Sequence, residues 1–394
     1  MNILVINSGS SSIKYQLFQM PEKKVICKGM VERIGIENGK IIYKSEGHSH
    51  EEICDIPDHK VGLNKIAALL MDKNVGVIHS ADEIHAVGHR VVHGGSDFSK
   101  TVVIDKQVKS KIKELFGLAP LHNPPNYVGI EVAESIFPTA KQIAVFDTAF
   151  HQTIPEEAYR YAIPNKFLEE NKIRVYGFHG TSHKYVTEKA ISYLGIKRSK
   201  IITIHLGNGC SMTAVENGKS IDHTLGFGPM NGLIMGTRSG DIDQSIIFYM
   251  MDVLGYSAKE VNQILQKESG MFGLTGFSDL REIEAEAEKG NRNCQIALQM
   301  NAYRIKKYIG SYAAILNGLD AIVFTAGIGE NSDVLRKMVC KDMDFLGLEL
   351  DEGLNAKREK VIREINTTAS KVKILIVPTD EELEIAQQSY EALK

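Results

Sequence analysis

Five short apolar runs, each followed at once by small or polar turn residues, set the fold class of this chain. ILVI at 3–6, IAVF at 143–146, IITIHL at 201–206, AIVF at 321–324 and VKILIV at 372–377 are rich in β-branched side chains. Runs of that length bounded by turn residues read as buried strands. Between them, apolar residues recur at helical spacing, as in 183–194, 260–267 and 293–316. Strands alternating with helices predict an α/β protein. With 394 residues, the chain is long enough for two or three domains of about 150 residues each. An internal echo points to two halves. ILVINSGSSS from Ile3 and ITIHLGNGCS from Ile202 both run from an apolar strand into a small-residue turn, with the alignment open by one position.

The strand ends carry residues suited to anions, and each has a plainer reading beside it. The turn Asn7-Ser8-Gly9-Ser10-Ser11-Ser12 offers several N–H groups and hydroxyls, with Lys14 two residues on. Concave runs of N–H groups bind phosphate oxygens, and a lysine adds a point charge. The same turn also suits an ordinary hairpin. It is no Walker A motif, and ENGKS near Gly218 and ENGK near Gly39 both lack the first glycine. Alternation in HAVGHRVVHGG (85–95) predicts a strand on which His89 and His93 share a face, as do Arg90 and Val92. That strand lacks the helical geometry of a zinc pair, which favours structural roles for both histidines. Arg90, amid apolar residues, needs an anionic partner: a structural carboxylate, or a substrate carboxylate or phosphate. Asp147 follows IAVF directly. It either lines the crevice where open α/β sheets bind ligands or caps a turn.

His122 lies in the proline-bound loop APLHNPPN, and His179 in YGFHGTSH, which reads as a strand-to-helix turn with Ser182 as N-cap. A lone loop histidine is more often a surface residue. HLGNG (205–209) gives a second glycine turn, open to close approach by a phosphate chain. In MGTRSGD, Arg238 stands between two glycines, either as a mobile charge for a phosphoryl group or as a solvated turn residue. GIGEN (327–331) lies between a strand and a helix capped by Asn331 or Ser332. It resembles the start of a dinucleotide fingerprint, but Ser332 replaces the last glycine. In VPTDEELEIA, Thr379 and Glu382 read as a capping box. That leaves Glu381 either for a metal or as a first-turn acid that favours the helix dipole.

Composition narrows the classes. Lys+Arg 46 against Asp+Glu 49 gives a net charge of -3 with no basic tract, so no nucleic-acid partner is expected. Five scattered cysteines with no C-x-x-C pair argue against a disulfide framework or a zinc site. The N-terminal segment lacks the n- and h-regions of a signal peptide, and no apolar run reaches the length of a membrane span. A cytoplasmic location without membrane attachment is expected.

Taken in order, these motifs resemble the acetate kinase family over essentially the whole chain. VINSGSSSIK (5–14) is similar to the family's first signature and HAVGHRVVHGG to its second. YGFHGTSH, HLGNG, GIGEN and TDEE follow in the family's order and approximate spacing. The family belongs to the acetate and sugar kinase, heat-shock chaperone and actin superfamily. The resemblance implies an α/β fold of duplicated ribonuclease-H-like (actin-like ATPase) domains flanking an interdomain nucleotide cleft. Residues 1–148 plus 382–394 would form the N-terminal domain, and 149–381 the C-terminal domain with the ATP-binding loops. A homodimer is implied as well. Asn7 and Glu381 match the family's magnesium positions. Lys14, His205, Leu206, Gly207, Asn208, Gly209, Asp279, Leu280, Arg281, Gly327, Ile328, Gly329, Glu330 and Asn331 match its ATP contacts. Arg90 matches the substrate contact, Asp147 the residue assigned acid/base duty, and His179 and Arg238 the transition-state stabilisers. Val92, Leu121, Phe178 and Pro229 match the apolar pocket for the acyl methyl group, with His122 on the substrate side next to Leu121.

The resemblance thus implies ATP + acetate ⇌ ADP + acetyl phosphate, with Mg²⁺ as cofactor (Mn²⁺ can substitute) and ATP as co-substrate. Acetate is already ionised at neutral pH and needs no general base. The reaction needs in-line positioning and neutralised charge on the transferring phosphoryl group. Two arginines, a lysine, a histidine and Mg²⁺ would supply that field. Asp147 is then better cast as an orienter of metal-bound water or of an arginine. Two rivals remain. A propionate kinase would share the chemistry, and a methylene is worth only about 1–3 kcal/mol in an apolar pocket. A nucleotide-switched module of the actin or chaperone kind would hydrolyse ATP slowly and lack the acyl site. Arg90, Arg238 and His179 together argue against it.

Overall fold

In the computed structural model, which describes residues 1–9 and 11–394, eight strands build one sheet: β1 (Asn2–Ser8), β2 (Ser12–Gln19), β3 (Lys24–Glu32), β4 (Gly39–Ser45), β5 (His48–Cys54), β6 (Ala86–Val91), β7 (Val102–Val103) and β8 (Lys141–Phe146). Their order is β5-β4-β3-β2-β1-β6-β8-β7. β1, β6 and β8 run parallel, whereas β2 and β3 are antiparallel to their neighbours. Ser10, part of the expected phosphate turn, lies outside the described residues.

β1 reads as one continuous apolar run because both of its faces are covered. Leu4 and Ile6 pack with Leu63 and Ile66 of the helix His59–Leu70 and with Val132 of the helix Asn123–Ile136. Ile3 and Val5 pack on the other face with Ile143, Val145, Ile385 and Ala386. The last two belong to the helix Glu381–Glu391, which lies directly on β6: a Cβ on Gly88 would sit 2.5 Å from Ser389 Oγ. Only glycine permits that approach, and it sets the helix's first turn beside the strand ends.

A second sheet holds β9 (Lys200–Leu206), β10 (Cys210–Glu216), β11 (Lys219–His223), β12 (Ala321–Thr325), β13 (Arg363–Glu364) and β14 (Lys373–Ile376), in the order β11-β10-β9-β12-β14-β13. β9, β12 and β14 are parallel, with β10 antiparallel to β9 and β11 antiparallel to β10. The stretch β11-β10-β9-β12-β14 therefore repeats the order and directions of β3-β2-β1-β6-β8. Ile3 and Ile201 each open the parallel pairing of their strand. That register moves the sequence echo by one position, from Ile202 to Ile201.

The chain divides into two compact units, Met1–Phe150 with Asp380–Lys394, and His151–Thr379. Among the described residues, no helix is long and apolar enough to cross a membrane.

Several local expectations need correction. The helix expected from His183 spans Gly180–Leu194, with left-handed His179 (φ 55, ψ 25) at its N-cap position. Ser182 is inside that helix and does not cap it, and no strand leads into YGFHGTSH. GIGEN itself forms a short helix, Ala326–Asn331, while the helix after it is capped by Ser332 through Leu335 N, one of the two caps expected. APLHNPPN runs into the helix Asn123–Ile136, with prolines in its first turn and His122 at the N-cap position. Thr379 and Glu382 make no capping box. Asp380 is the N-cap and accepts from Leu383 N at 2.9 Å.

Candidate active site

In the first unit, the carboxyl ends of parallel β1, β6 and β8 bring Asn7, Arg90 and Asp147 together, where ligands of open α/β sheets collect. Arg90 donates from Nε and Nη2 to Asp147 Oδ2 at 2.8 and 2.5 Å, and from Nη1 to Asn7 Oδ1 at 3.2 Å. Asp147 is 1% exposed. Its carboxylate is the anion that the apolar setting of Arg90 called for. The first turn of Glu381–Glu391 adds Glu381, whose carboxyl is pushed up to about 7. Burial is the main cause, Asp147 and Glu382 add to it, and Arg90 and Lys14 oppose it. Lys14 is exposed on β2 opposite Asn7, and lines an open groove with Lys28, Lys44 and Glu382.

β6 ends at Val91, so Val92 and His93 lie beyond the strand and the shared-face expectations for Val92 with Arg90 and for His93 with His89 do not hold. The chain leaves the sheet because the helix Asn123–Ile136 takes over its hydrogen bonds. Val92 N donates to Asn126 Oδ1 (3.1 Å) and His93 N to Asn123 Oδ1 (3.0 Å). Asn126 Nδ2 also donates to Ser8 O at 2.6 Å. Asn123 and Asn126 are buried and tie β1 to the segment after β6. Sequence reading missed both, and the only signal was an NPPN run at a helix start. Val92 is buried, while Leu121 is 52% exposed. His89 is bonded to Gln142 Oε1 at 2.8 Å, and burial drives it down to about 4.

In the second unit, the corresponding ends of β9, β12 and β14 hold a histidine-rich cluster. His179 Nδ1 lies 2.8 Å from Ser211 Oγ, and its ring stacks on His205 with centroids 4.5 Å apart. Ser211 Oγ also meets His183 Nε2 at 2.8 Å, and His183 Nδ1 meets Thr203 Oγ1 at 2.7 Å. Burial, helped by His151 and His205, holds His183 well below the usual imidazole range, so it is neutral. Ser182, expected to cap a helix, instead joins His205 Nδ1 (2.8 Å) to Thr379 Oγ1 (2.9 Å).

The glycine turn 207–209 links β9 to β10. A Cβ on Gly209 would lie 3.3 Å from His179 Nε2 and 3.9 Å from Arg238 Nη1. Both polar groups therefore face that turn. Arg238 donates to Pro229 O at 3.1 Å and has no carboxylate partner among the described residues. Burial lowers its pKa, as expected where charge lacks an anion. Phe178 is buried, and its carbonyl lies 3.0 Å from His151 Nε2.

Of the expected nucleotide residues, Gly327, Ile328, Gly329, Glu330 and Asn331 sit in the helix Ala326–Asn331 after β12, and Glu330 Oε1 accepts from Thr379 N at 3.1 Å. Asp279 caps the helix Leu280–Glu288. Its bonds from Arg281 Nε and N hold its carboxyl down to about 2. Leu280 is buried and Arg281 exposed. Among the described residues, no group of three or more His, Cys, Asp and Glu side chains forms a metal cage.

The sequence pattern of the Acetokinase family matches residues 2–387. The chain is 67% identical over 394 residues to the acetate kinase of Flavobacterium johnsoniae, covering 100% of both. The crystal structure of Porphyromonas gingivalis acetate kinase superposes with a TM-score of 0.94 at 43% identity, covering 100% of each chain. A propionate kinase from Francisella tularensis gives 0.93 at 42%, covering 99% of each. Sequence likeness runs nearly end to end, and the fold likeness is of the same extent. The chain belongs to the acetokinase family.

Proposed function

We propose that the chain transfers the terminal phosphoryl group of ATP to the carboxylate of acetate, giving ADP and acetyl phosphate. A carboxylate oxygen attacks the γ-phosphorus, and the bond from that phosphorus to the β–γ bridging oxygen breaks. The observation that carries this reading is Arg238. Its guanidinium is partly buried, has no carboxylate partner among the described residues, and faces the glycine turn together with His179. Such a charge is suited to an anion that arrives from outside. His205, Leu206, Gly207, Asn208 and Gly209, with Asp279, Leu280, Arg281 and residues 327–331, would take the nucleotide. Arg90 would take the carboxylate of acetate, with Val92, Leu121, Phe178 and Pro229 around its methyl group and His122 nearby.

Asp147 spends its carboxylate on Arg90 through two hydrogen bonds. We read it as the group that orients Arg90, since ionised acetate needs no base. The donor chemistry fits a magnesium ion: the Asn7 amide and the Glu381 carboxylate are hard oxygen donors, one at the end of β1 and one in the first turn of Glu381–Glu391. Asn7 and Glu381 would hold the ion, with phosphate and water oxygens completing its shell. When bound, it would neutralise charge on the phosphates. The repeated strand order supports a duplicated ribonuclease-H-like domain. The five free cysteines suit a reducing cytoplasm. A homodimer is also part of this reading. The helix Ser245–Asp252 buries none of its residues, and Phe248, Tyr249, Val253 and Leu254 are each more than half exposed. An apolar patch of that kind suits a second copy.

Trapping with hydroxylamine tests the reaction. ATP, Mg²⁺ and acetate should yield acetohydroxamate in step with ADP, with propionate a weaker acceptor. ADP without hydroxamate would reject the proposal, and stronger turnover of propionate would favour the propionate reading.

A further inference from the structure

The loop that carries Arg238 is closed at its base by groups the phosphoryl-transfer chemistry does not itself use. Gly232 and Asp241 meet there: Asp241 N donates to Gly232 O at 3.0 Å, and Gly232 N donates to Asp241 Oδ1 at 2.6 Å. The 24-residue helix Arg292–Ile315 adds Arg304 and Tyr308, four residues apart and so on one face. Arg304 bridges the two ends of the loop. Its Nη1 donates to Gly232 O at 2.7 Å and its Nη2 to Asp241 O at 3.1 Å. The Tyr308 hydroxyl donates to Asp241 Oδ2 at 2.6 Å. Burial, reinforced by Asp241, raises the Tyr308 pKa above the ordinary phenol value, so it stays a donor. Gly232 has φ 86, and a Cβ there would lie 2.6 Å from that of Thr224. The base is therefore tight as well as hydrogen-bonded.

The body of the loop is docked too. Gly236 N donates to Asn208 O at 3.0 Å, Ser269 N to Thr237 O at 3.1 Å, and Met271 N to Met235 O at 2.9 Å. Among the described residues, the Arg238 guanidinium has only the Pro229 carbonyl as an oxygen partner. With no carboxylate partner among the described residues, its guanidinium depends on the loop backbone for its placement.

We propose that Asp241, Arg304 and Tyr308 form a positioning clamp that holds Arg238 against the glycine turn at Gly209. The inference rests on the reading of Arg238 as the charge that meets the transferring phosphoryl group. Preorganised charge acts through placement, and a shift of about 1 Å can cost up to about 10² in rate. A long helix is a suitable base because sites anchored on rigid elements hold their geometry better than sites on loops alone. None of the three clamp residues needs to touch substrate.

A double-mutant cycle between Tyr308→Phe and Arg238→Ala tests the clamp, with kcat, both KM values and the thermal midpoint measured. Tyr308→Phe should lower kcat about tenfold in the parent, leave KM for acetate and ATP within about twofold, and change kcat less than about twofold when Arg238 is already alanine. Arg304→Lys, which keeps the charge but loses the fork, should follow the same pattern, and it carries the cycle if Tyr308→Phe does not fold. An equal loss in both backgrounds, or no loss in the folded parent, would overturn the clamp. Near-normal turnover of Arg238→Ala would overturn the underlying reading of Arg238, and the clamp with it.

Discussion

Removing Arg90 should damage the protein in two separable ways. The guanidinium makes two hydrogen bonds to Asp147 and one to Asn7, and the Asp147 carboxylate is 1% exposed. Arg90→Ala therefore strands a buried charge, which costs about 3–5 kcal/mol. Replacing the pair together, as Arg90→Met with Asp147→Asn, removes the stranded charge and should return to within about 2 kcal/mol of the parent. Turnover should fall by about 10²–10³ in Arg90→Ala, the loss typical for a charge-stabilising donor, and it should stay low in the double variant. The two units need not unfold together, so a global denaturant curve would mix them. Hydrogen exchange of peptides from β6 and β8 reads the loss locally. If the single and double variants exchange alike, the pair contributes no coupling and the role assigned to Asp147 fails. If the double variant recovers both stability and turnover, Arg90 is not part of the reaction.

Four further outcomes follow from the same contacts. Glu381→Ala should raise the Mg²⁺ concentration needed for half-maximal rate, whereas Glu382→Ala should leave it nearly unchanged, and identical titrations would refute the division. Val92→Ala should shift the propionate-to-acetate ratio of kcat/KM upward by about tenfold; an unchanged ratio with stability lower by about 1–3 kcal/mol makes Val92 a packing residue only. His89 has its folded pKa lowered to about 4, so it supports stability above pH 6.5 and loses that support as pH falls towards 4, by about 3 kcal/mol in all. His89→Gln should flatten that part of the stability–pH curve, and parallel curves would contradict it. Phe248→Glu with Leu254→Glu should convert a dimer to a monomer in light scattering, and an unchanged mass would place the partner copy elsewhere or remove it.

The central strands β1, β8, β9, β12 and β14 were legible because they are buried on both faces and read as apolar runs, whereas β6, which carries His89 and Arg90, showed only as an alternating pattern. β3 and β5 escaped notice for the opposite reason. KVICKGMVE and HSHEEIC mix exposed charges with buried positions, so their residues resemble surface coil. Arg90 announced its need for an anion, but nothing within a few residues named Asp147, which lies 57 positions away. Caps were misread where competing partners exist. Ser182 suits an N-cap by type, yet His205 and Thr379 claim its hydroxyl. Asn123, Asn126, Arg304 and Tyr308 were invisible for a related reason: their partners are 30 to 118 residues distant. Motif spacing finds groups that touch ligand along a short stretch of chain. It does not find the groups that hold them from another element.

Whether ATP turnover depends on the acyl acceptor is the most direct test of the function. ADP release should be measured with and without acetate at fixed Mg²⁺ and ATP, in the parent and in Arg238→Ala. Almost no ADP should appear without acetate, release should saturate with it, and the variant should lose about 10²–10³ in rate. Slow ADP release of equal rate with and without acetate would contradict the proposed function and return the chain to the nucleotide-switched class.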